Sequence, residues 1–537
     1  MKKRTNLTEI LLQTKNRKGN ADVIFLVLVM LLGGLLLFDY GAHLDQRSEQ
    51  EILYSNLVSY FESVNLEGNF YHELTDAGII NIRNSIEKDH GMAVFYPMFW
   101  IYTINKHSPY LGNLIWHLYI YFLSCIGLVS FYYLLRDFFG KRTAIVSILL
   151  LFFTPRIFAE MHYNNKDIVF LSLVMLVYYY GWKLYKHTSI QNAILFGIVG
   201  AVATNMKIVG MLIWAAIGLY IFISKIIEKL LDKLLVLKAI SSVFVFLFFF
   251  IIITPAAWGN VFGFMEYLFD SARNFRWNDY VLFDGESYCK SLTGIPRKYL
   301  PVIMLITVPV GIWILMIIGI LFSGYRIISR KLIQRKKDYI IAVSVIGIAP
   351  LGYAVFSATP VYNGWRHFYF VYASIIIFVA GAVYYFLEIS AKKKIFNMVF
   401  CGYIAWLLLG IIVNHPYEYA YYNCLAGNNV EQRYELDYWD MSFKQALEKI
   451  AQNDDRSRIG IATCDNPSNW GISAQMCAIR GKYRCRFVTD VSFEEADYII
   501  VNPTYFALYS YEYYEKIQEE FIVVDKMKSY GKTICYI

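Results

Sequence analysis

Four short polar turns interrupt long apolar runs, and they hold the residues whose types could do chemistry. Asp45 lies in the stretch Asp39 to Ile52, which follows the first apolar run. Arg156, Lys166 and Asp167 lie between Thr154 and Asp167, Lys207 closes the turn Thr204 to Lys207, and Arg366 and His367 end the turn that starts at Tyr362. A carboxylate among four cations suits the departure of a phosphate. Arg156, Lys166, Lys207 and Arg366 would neutralise the charge that develops on it, Asp45 would take a proton from an attacking hydroxyl, and Asp167 would orient Lys166 or a donor hydroxyl. Charges at a membrane edge are costly and are functional hypotheses by default. The plainer reading is that Lys and Arg at helix ends snorkel to lipid headgroups. Four polar turns on one side weigh against it.

The elements that must position these residues follow from composition. Of 537 residues, 57% are hydrophobic, 18% aromatic and only 17% charged, against about 45–50% apolar and about 25% charged in ordinary soluble domains. Together with a mean hydropathy of +0.41, this describes a chain solvated largely by lipid. It excludes disordered, collagenous and small disulfide-stapled classes. Apolar runs of about 17–25 residues read as membrane-spanning helices. About eleven occur, near 23–40, 112–135, 143–155, 167–182, 191–205, 208–224, 238–256, 301–323, 339–357, 368–388 and 395–414. The runs 143–155 and 191–205 are short for a span. The first run lacks a small-residue cleavage site and leads into Asp39 and Tyr40, so it reads as a retained helix.

Charge sets the orientation. Residues 1–20 and every second connection after them hold 24 basic and 5 acidic residues, a net of +19, which leaves −11 for the rest of a chain whose formal charge is +8. The +8 therefore reports topology and says nothing about nucleic acid. Residues 1–22 read as a cytoplasmic basic N-terminus and 23–414 as the transmembrane domain, with outer loops 41–111 and 257–300. An odd number of spans puts 415–537 outside. There, 441–452 reads as an amphipathic helix, and Arg458–Thr463, Ala496–Val501 and Phe521–Asp525 as short strands of a small extracytoplasmic α/β domain. The expected fold class is thus mainly α, a polytopic helical membrane protein with a small C-terminal α/β domain.

Six of eight cysteines (Cys289, Cys424, Cys464, Cys477, Cys485, Cys535) fall on the outer side, where one to three disulfides are permitted. No CxxC pair suggests a zinc ribbon. Seven of nine histidines also fall there; His43 and His162 lie near Asp45 and Asp167, but no HxH or HxxxH spacing marks a metal site. The pattern requires no cofactor, and a divalent cation is the one candidate. The many Tyr and Trp read as interface belts and helix packing, with a sugar-binding rim as the alternative.

The topology and the first-loop Asp resemble the glycosyltransferase C superfamily, the polytopic enzymes that use polyprenyl-phosphate-linked sugars, including protein O-mannosyltransferases and the lipid A aminoarabinose transferase. Their first outer loop carries an Asp-Glu pair followed by a Glu-Ile, spaced as in Asp45-x5-Glu51-Ile52. Here the second member is Gln46, which leaves Asp45 as the only carboxylate of the pair. The stretches Thr154-Pro-Arg-Ile-Phe-Ala-Glu160, Asn165-Lys-Asp167, Asn363-Gly-Trp-Arg-His367 and Asn414-His-Pro-Tyr-Glu-Tyr-Ala-Tyr-Tyr-Asn423 are similar to a bacterial subgroup of family 39-like membrane glycosyltransferases. The resemblance covers approximately residues 20–440.

It implies an enzyme of the bacterial cell envelope that moves a sugar, on the outer face and with inversion, from a polyprenyl-phosphate donor to an acceptor hydroxyl on a carbohydrate, lipid or protein. Asp45 would be the base, Arg156, Lys166, Lys207 and Arg366 the phosphate contacts, and Gln46, Glu51, Asp167 and His367 their support. One rival is a transporter or flippase of a lipid-linked anion, which predicts charges deep within several helices and broken inverted repeats. A second is a sensor or scaffold anchored by its helices, for which eleven spans are far more than anchoring needs.

Overall fold

The computed structural model describes residues 21–230, 232–274, 279–289, 291–328, 335–357, 359, 361, 363–463, 469–504, 517 and 519–537. The expectations for residues 1–20, for the basic loop 329–334, for Tyr362 and for Cys464 concern residues outside that set.

Backbone in lipid must bond to itself, so the apolar runs become helices. In chain order these are α1 (Ala21–Gly34, prolonged by a 3-10 turn to Phe38), α2 (Gln46–Ser63), α3 (Pro109–Phe139), α4 (Lys141–Phe152), α5 (Pro155–Glu160), α6 (Asp167–Lys186), α7 (Ile190–Met206), α8 (Val209–Ile227), α9 (Lys233–Ile253), α10 (Val261–Arg273), α11 (Val310–Ile328), α12 (Arg335–Ser357), α13 (Val371–Tyr384, prolonged by a π turn to Ile389) and α14 (Lys393–Asn414). Among the described residues nine are long and apolar enough to cross a membrane: α1, α3, α6, α8, α9, α11, α12, α13 and α14. The other two expected spans are shorter helices, α4 and α7, and the run 301–323 is broken. Its first part is a separate helix, Tyr299–Thr307, because Val308 is extended before Pro309.

The cause of the short α4 matters for the site. Thr154 and Pro155 stop it: Pro155 has no N–H to continue the ladder, and the Thr154 hydroxyl bonds the Leu150 carbonyl at 2.8 Å and the Tyr372 hydroxyl at 2.7 Å. Residues 151–165 then turn through the molecule entirely buried. Irregular backbone at that depth is tolerated because protein, not lipid, surrounds it. Burial also ranks the spans. In α6, 78% of the best apolar window is inside the protein and in α13 67%, against 17–28% for α1, α8, α9, α11, α12 and α14. The bundle is therefore built around α6 and α13, and the polar turns that precede both helices lie at the same end.

Beyond α14 the chain packs across this end before entering the α/β domain. That domain contains α15 (Phe443–Asn453) and α16 (Trp470–Gln475). Ile459–Thr463 is the central strand of a three-stranded parallel sheet, between Phe487–Val488 and Tyr498–Ile500. A two-stranded antiparallel ribbon, Lys526–Ser529 with Lys532–Tyr536, is bridged to it through Val501 and Tyr536. The expected strand Phe521–Asp525 is not one. Its apolar residues Ile522, Val523 and Val524 are exposed, and the strand begins at Lys526, where burial alternates. Of the cysteines expected outside, Cys424, Cys477 and Cys485 carry free thiols.

Candidate active site

Asp45 is the N-cap residue of α2, the position where an Asp side chain ordinarily accepts from the helix's first amides. It makes no such bond here. Its Oδ2 instead accepts from Arg366 Nη1 at 2.9 Å and from the indole N–H of Trp439 at 3.3 Å. Arg366 precedes α13 and lies 4.0 Å from Asp167, the first residue of α6; its guanidinium packs over the Trp439 ring at 4.5 Å. Lys207, between α7 and α8, donates to the other oxygen of Asp167. Lys166 donates to Glu49 at 3.3 Å. Three cations and three carboxylates, drawn from four separate turns and α2, thus alternate at one end of the bundle.

The turn before α6 is self-supporting. Asn164 Oδ1 accepts from the backbone N–H groups of Lys166 and Asp167, and its amide donates to Glu160 at 2.7 Å. Glu160 also accepts from the hydroxyls of Tyr369 and Tyr438, so a fully buried carboxylate meets several donors. His43 Nε2 lies 2.8 Å from Asn165 Oδ1. His162 is stacked between Tyr40 and Tyr121, its ring nitrogens against the carbonyls of Phe158 and Gly33, which is a packing role rather than a metal ligand's.

These groups wall a cavity of about 1010 Å³. Asp45, Glu49, Glu51, Lys166, Asp167, Lys207, Arg366 and His367 line its charged end. Ile208 with Val209, Leu212 and Ile213 of α8, and Ile346, Ala349, Pro350 and Tyr353 of α12, line the other. Leu212 is 53% and Tyr353 66% exposed, so the apolar wall reaches the lipid-facing surface between α8 and α12. The Asp45 side chain is 45% exposed, and its exposure is to this cavity.

Electrostatics follow from enclosure. Burial works to raise the Asp45 carboxyl, but Arg366 and then His43 outweigh it and hold it below the usual carboxylate range. Glu49 goes the other way: burial raises it in spite of Lys166. Burial lowers Lys207 against the pull of Asp167, and brings His43 down to about 4. His90 and His367, half-buried beside the same lysines, are pushed well below the ordinary imidazole value by loss of solvation and then by those charges. The imidazoles are therefore neutral at pH 7, and the standing positive charge is carried by Lys and Arg.

Two residues expected at the site are placed elsewhere. Arg156, read as a phosphate contact, is 2% exposed and does not line the cavity; Nη2 donates to the Tyr421 carbonyl at 3.5 Å and the guanidinium lies over the Tyr422 ring. Gln46, on the far side of α2, donates to Asn113 at 2.9 Å and faces His117. Glu51 lines the cavity's edge, paired with Arg47 at 3.1 Å and half exposed. Sequence reading missed Glu49, although Asp45, Glu49 and Ile52 share one helical face at i, i+4, i+7. It also missed Trp439, which no local pattern marks. For a cation, the one group of three close ligands among the described residues is Glu87, Asp89 and His90, all lining the cavity, with Asp89 accepting from Ser271.

Residues 97–258, about a third of the chain, match the model of the dolichyl-phosphate-mannose-protein mannosyltransferase family. No curated protein matches the sequence. Among solved structures, ArnT from Cupriavidus metallidurans bound to undecaprenyl phosphate is 12% identical, with 96% of this chain and 98% of that one covered and a TM-score of 0.43. Its apo form gives 12%, 96%, 97% and 0.45. The Archaeoglobus fulgidus oligosaccharyltransferase in its apo form is 12% identical over 88% of this chain and 64% of that one, with a TM-score of 0.42. Among the described residues nine helices are long and apolar enough to cross a membrane, and over residues 97–258 this polytopic helical chain is similar to the protein O-mannosyltransferases, one of the groups that its motifs resemble.

Proposed function

We propose that this protein transfers a sugar from a polyprenyl-phosphate donor to an acceptor hydroxyl, at the face of the membrane opposite its basic connections. The observation that carries the reading is the two-sided cavity: three cations and Asp45 at one end, and an apolar wall between α8 and α12 that opens towards lipid at the other. A lipid phosphate has the same two-sided chemistry. Its isoprenoid chain would lie along α8 and α12, and its phosphate would meet Lys166, Lys207 and Arg366. The family model matched over residues 97–258 is that of the dolichyl-phosphate-mannose-protein mannosyltransferases, a name that carries a polyprenyl-phosphate donor, which supports this donor class. Arg136 and Lys183 in the last turns of α3 and α6, and Lys392 to Lys394 at the start of α14, lie at the other end of the bundle, which supports an outer-face site.

In the step itself the acceptor oxygen forms a bond to the anomeric carbon as the bond from that carbon to the phosphate oxygen breaks, with inversion. The acceptor proton passes to Asp45, and the lipid leaves as a phosphate monoester carrying one more negative charge. Lys166, Lys207 and Arg366 stabilise that charge, each exchanging part of its contact with a carboxylate for one with phosphate. A carboxylate held below its usual range is a weak base, so Asp45 contributes chiefly by position and by stabilising positive charge on the attacking oxygen.

The test is to incubate the purified protein in lipid with a panel of polyprenyl-phosphate sugars and candidate acceptors, and to identify products by mass spectrometry. Expected is stoichiometric release of polyprenyl phosphate with a glycosylated acceptor. Movement of intact donor across the bilayer, with no transfer from any member of the panel, would favour the flippase instead.

A further inference from the structure

The resemblance assigns nothing to the residues after 440, yet this part of the chain grips the segment that carries the candidate base. Residues 39–45 form neither helix nor strand. Much of their backbone bonding comes from the α/β domain. Lys444 Nζ donates to the Phe38 carbonyl at 2.6 Å, and Gln445 Nε2 to the Asp39 carbonyl at 2.5 Å. Gln475, fully buried on α16, brackets Ala42: Oε1 accepts from the Ala42 N–H at 2.9 Å and Nε2 donates to the Ala42 carbonyl at 2.6 Å. Gly41 makes this approach feasible, since a Cβ there would overlap Gln475 Oε1 and lie 3.0 Å from the Met441 carbonyl.

Trp439 is fixed in turn. Asp437 accepts from the N–H groups of Met441 and Ser442, both at 2.9 Å, and Asn502, just past the sheet, donates to Asp440 at 2.8 Å. The indole is already packed by the Arg366 guanidinium and by the His43 ring at 4.9 Å, so its polar contribution to the cavity is the N–H on Asp45.

We propose that the C-terminal α/β domain is the positioning element of the active site, with Gln475 setting the path of the 38–45 backbone and Trp439 setting the orientation of the Asp45 carboxylate. The inference rests on Asp45 being the base. A base must be held in place to act, and a misplacement of about 1 Å from a remote change costs about 100-fold. The other charged or titratable groups facing Asp45 are Arg366 before α13, His43 on its own segment, Asp167 at the start of α6 and Glu49 on α2. None of them belongs to the domain, so the domain acts on Asp45 through a neutral donor.

Three variants separate the possibilities: Trp439→Phe, which removes the N–H and keeps a ring over Arg366, Gln475→Ala and Asp45→Asn. For Trp439→Phe the expectation is a drop of about tenfold in kcat, KM for the donor little changed, and an acid limb of the pH profile moved to higher pH, because the ionised carboxylate loses a donor. For Gln475→Ala it is faster hydrogen exchange of the Ala42 amide, with exchange in the Ile459–Thr463 strand unchanged. A wild-type kcat and pH profile for Trp439→Phe would overturn the proposal, as would an unchanged Ala42 amide in Gln475→Ala. If Gln475→Ala does not fold, Trp439→Phe decides. Transfer retained by Asp45→Asn would instead remove the base assignment, a failure of the earlier reading that is visible apart from the exchange result.

Discussion

Arg366 offers the most quantitative handle on the site. It donates to Asp45 at 2.9 Å, lies 4.0 Å from Asp167 and packs against Trp439, so one guanidinium joins the proposed base, the Lys207 partner and the C-terminal domain. Opposite charges about 4 Å apart attract by about 4 kcal/mol at an effective dielectric near 20. The 45% exposure of Asp45 to the cavity screens much of that, so the pair alone accounts for less. The transition state adds a charge-assisted bond to phosphate of about 1.5–3 kcal/mol, which is about 10- to 150-fold in rate. Arg366→Met is therefore expected to lose about 100-fold in kcat/KM, near the upper end of that range because the Asp45 contact is lost with it. Arg366→Lys should lose about tenfold, because an ammonium is a point charge that cannot bridge two carboxylates and a phosphate. The assay is release of polyprenyl phosphate across a pH series, with thermal unfolding measured on the same preparations. Without Arg366 the largest influence holding the Asp45 carboxyl down is gone, so the acid limb of the profile should move to higher pH in Arg366→Met. Activity of Arg366→Met within threefold of wild type, or equal loss in the Lys and Met variants, would refute the bridging role.

Other consequences follow from the same contacts. His415 lies between Asp39 at 3.0 Å and Glu418 at 2.8 Å; burial lowers its imidazole, but the two carboxylates outweigh that and raise it from 6.5 to about 9. Its pairing should stabilise the protein fully below about pH 6.5 and be lost as pH rises through about 9, so Tm should fall over that window and His415→Gln should flatten the fall. Gly41→Val should reduce transfer strongly while leaving the spans inserted, since the side chain would displace Gln475; a wild-type rate with normal folding would show that the close approach is not needed. Lys207→Met leaves Asp167 with Arg366 alone, so transfer should fall by about 10- to 100-fold and donor titration should show weaker binding; a changed kcat with donor affinity intact would place Lys207 away from the phosphate.

What the sequence made legible was what depends on periodicity and position in the chain. Long apolar runs became helices because lipid leaves them no other choice, and the short runs at 143–155 and 191–205 are the two shorter helices. Asp45, Lys166, Asp167, Lys207 and Arg366 could be gathered on one side by alternation alone, and the structure brings them to one cavity. Arg156 could not be separated from them, because one residue after a proline break looks the same whether the side chain turns towards the cavity or is sealed among Tyr421 and Tyr422. Glu49 and Glu51 look alike in the sequence, and only the face of α2 that turns inward pairs Glu49 with Lys166 and leaves Glu51 to Arg47. Trp439 was beyond reach: it meets Asp45 across 394 residues, and only tertiary packing creates that contact.

On the proposed mechanism Asp45 receives the acceptor proton in transfer from a lipid phosphate. The most direct measurement compares wild type and Asp45→Asn, in the same lipid and with the same donor and acceptor, for rate of transfer and for binding of undecaprenyl phosphate. Loss of at least about 100-fold in transfer, the range expected for a positioned acid or base, with the phosphate still bound, is the predicted result. Transfer by Asp45→Asn near the wild-type rate would contradict it.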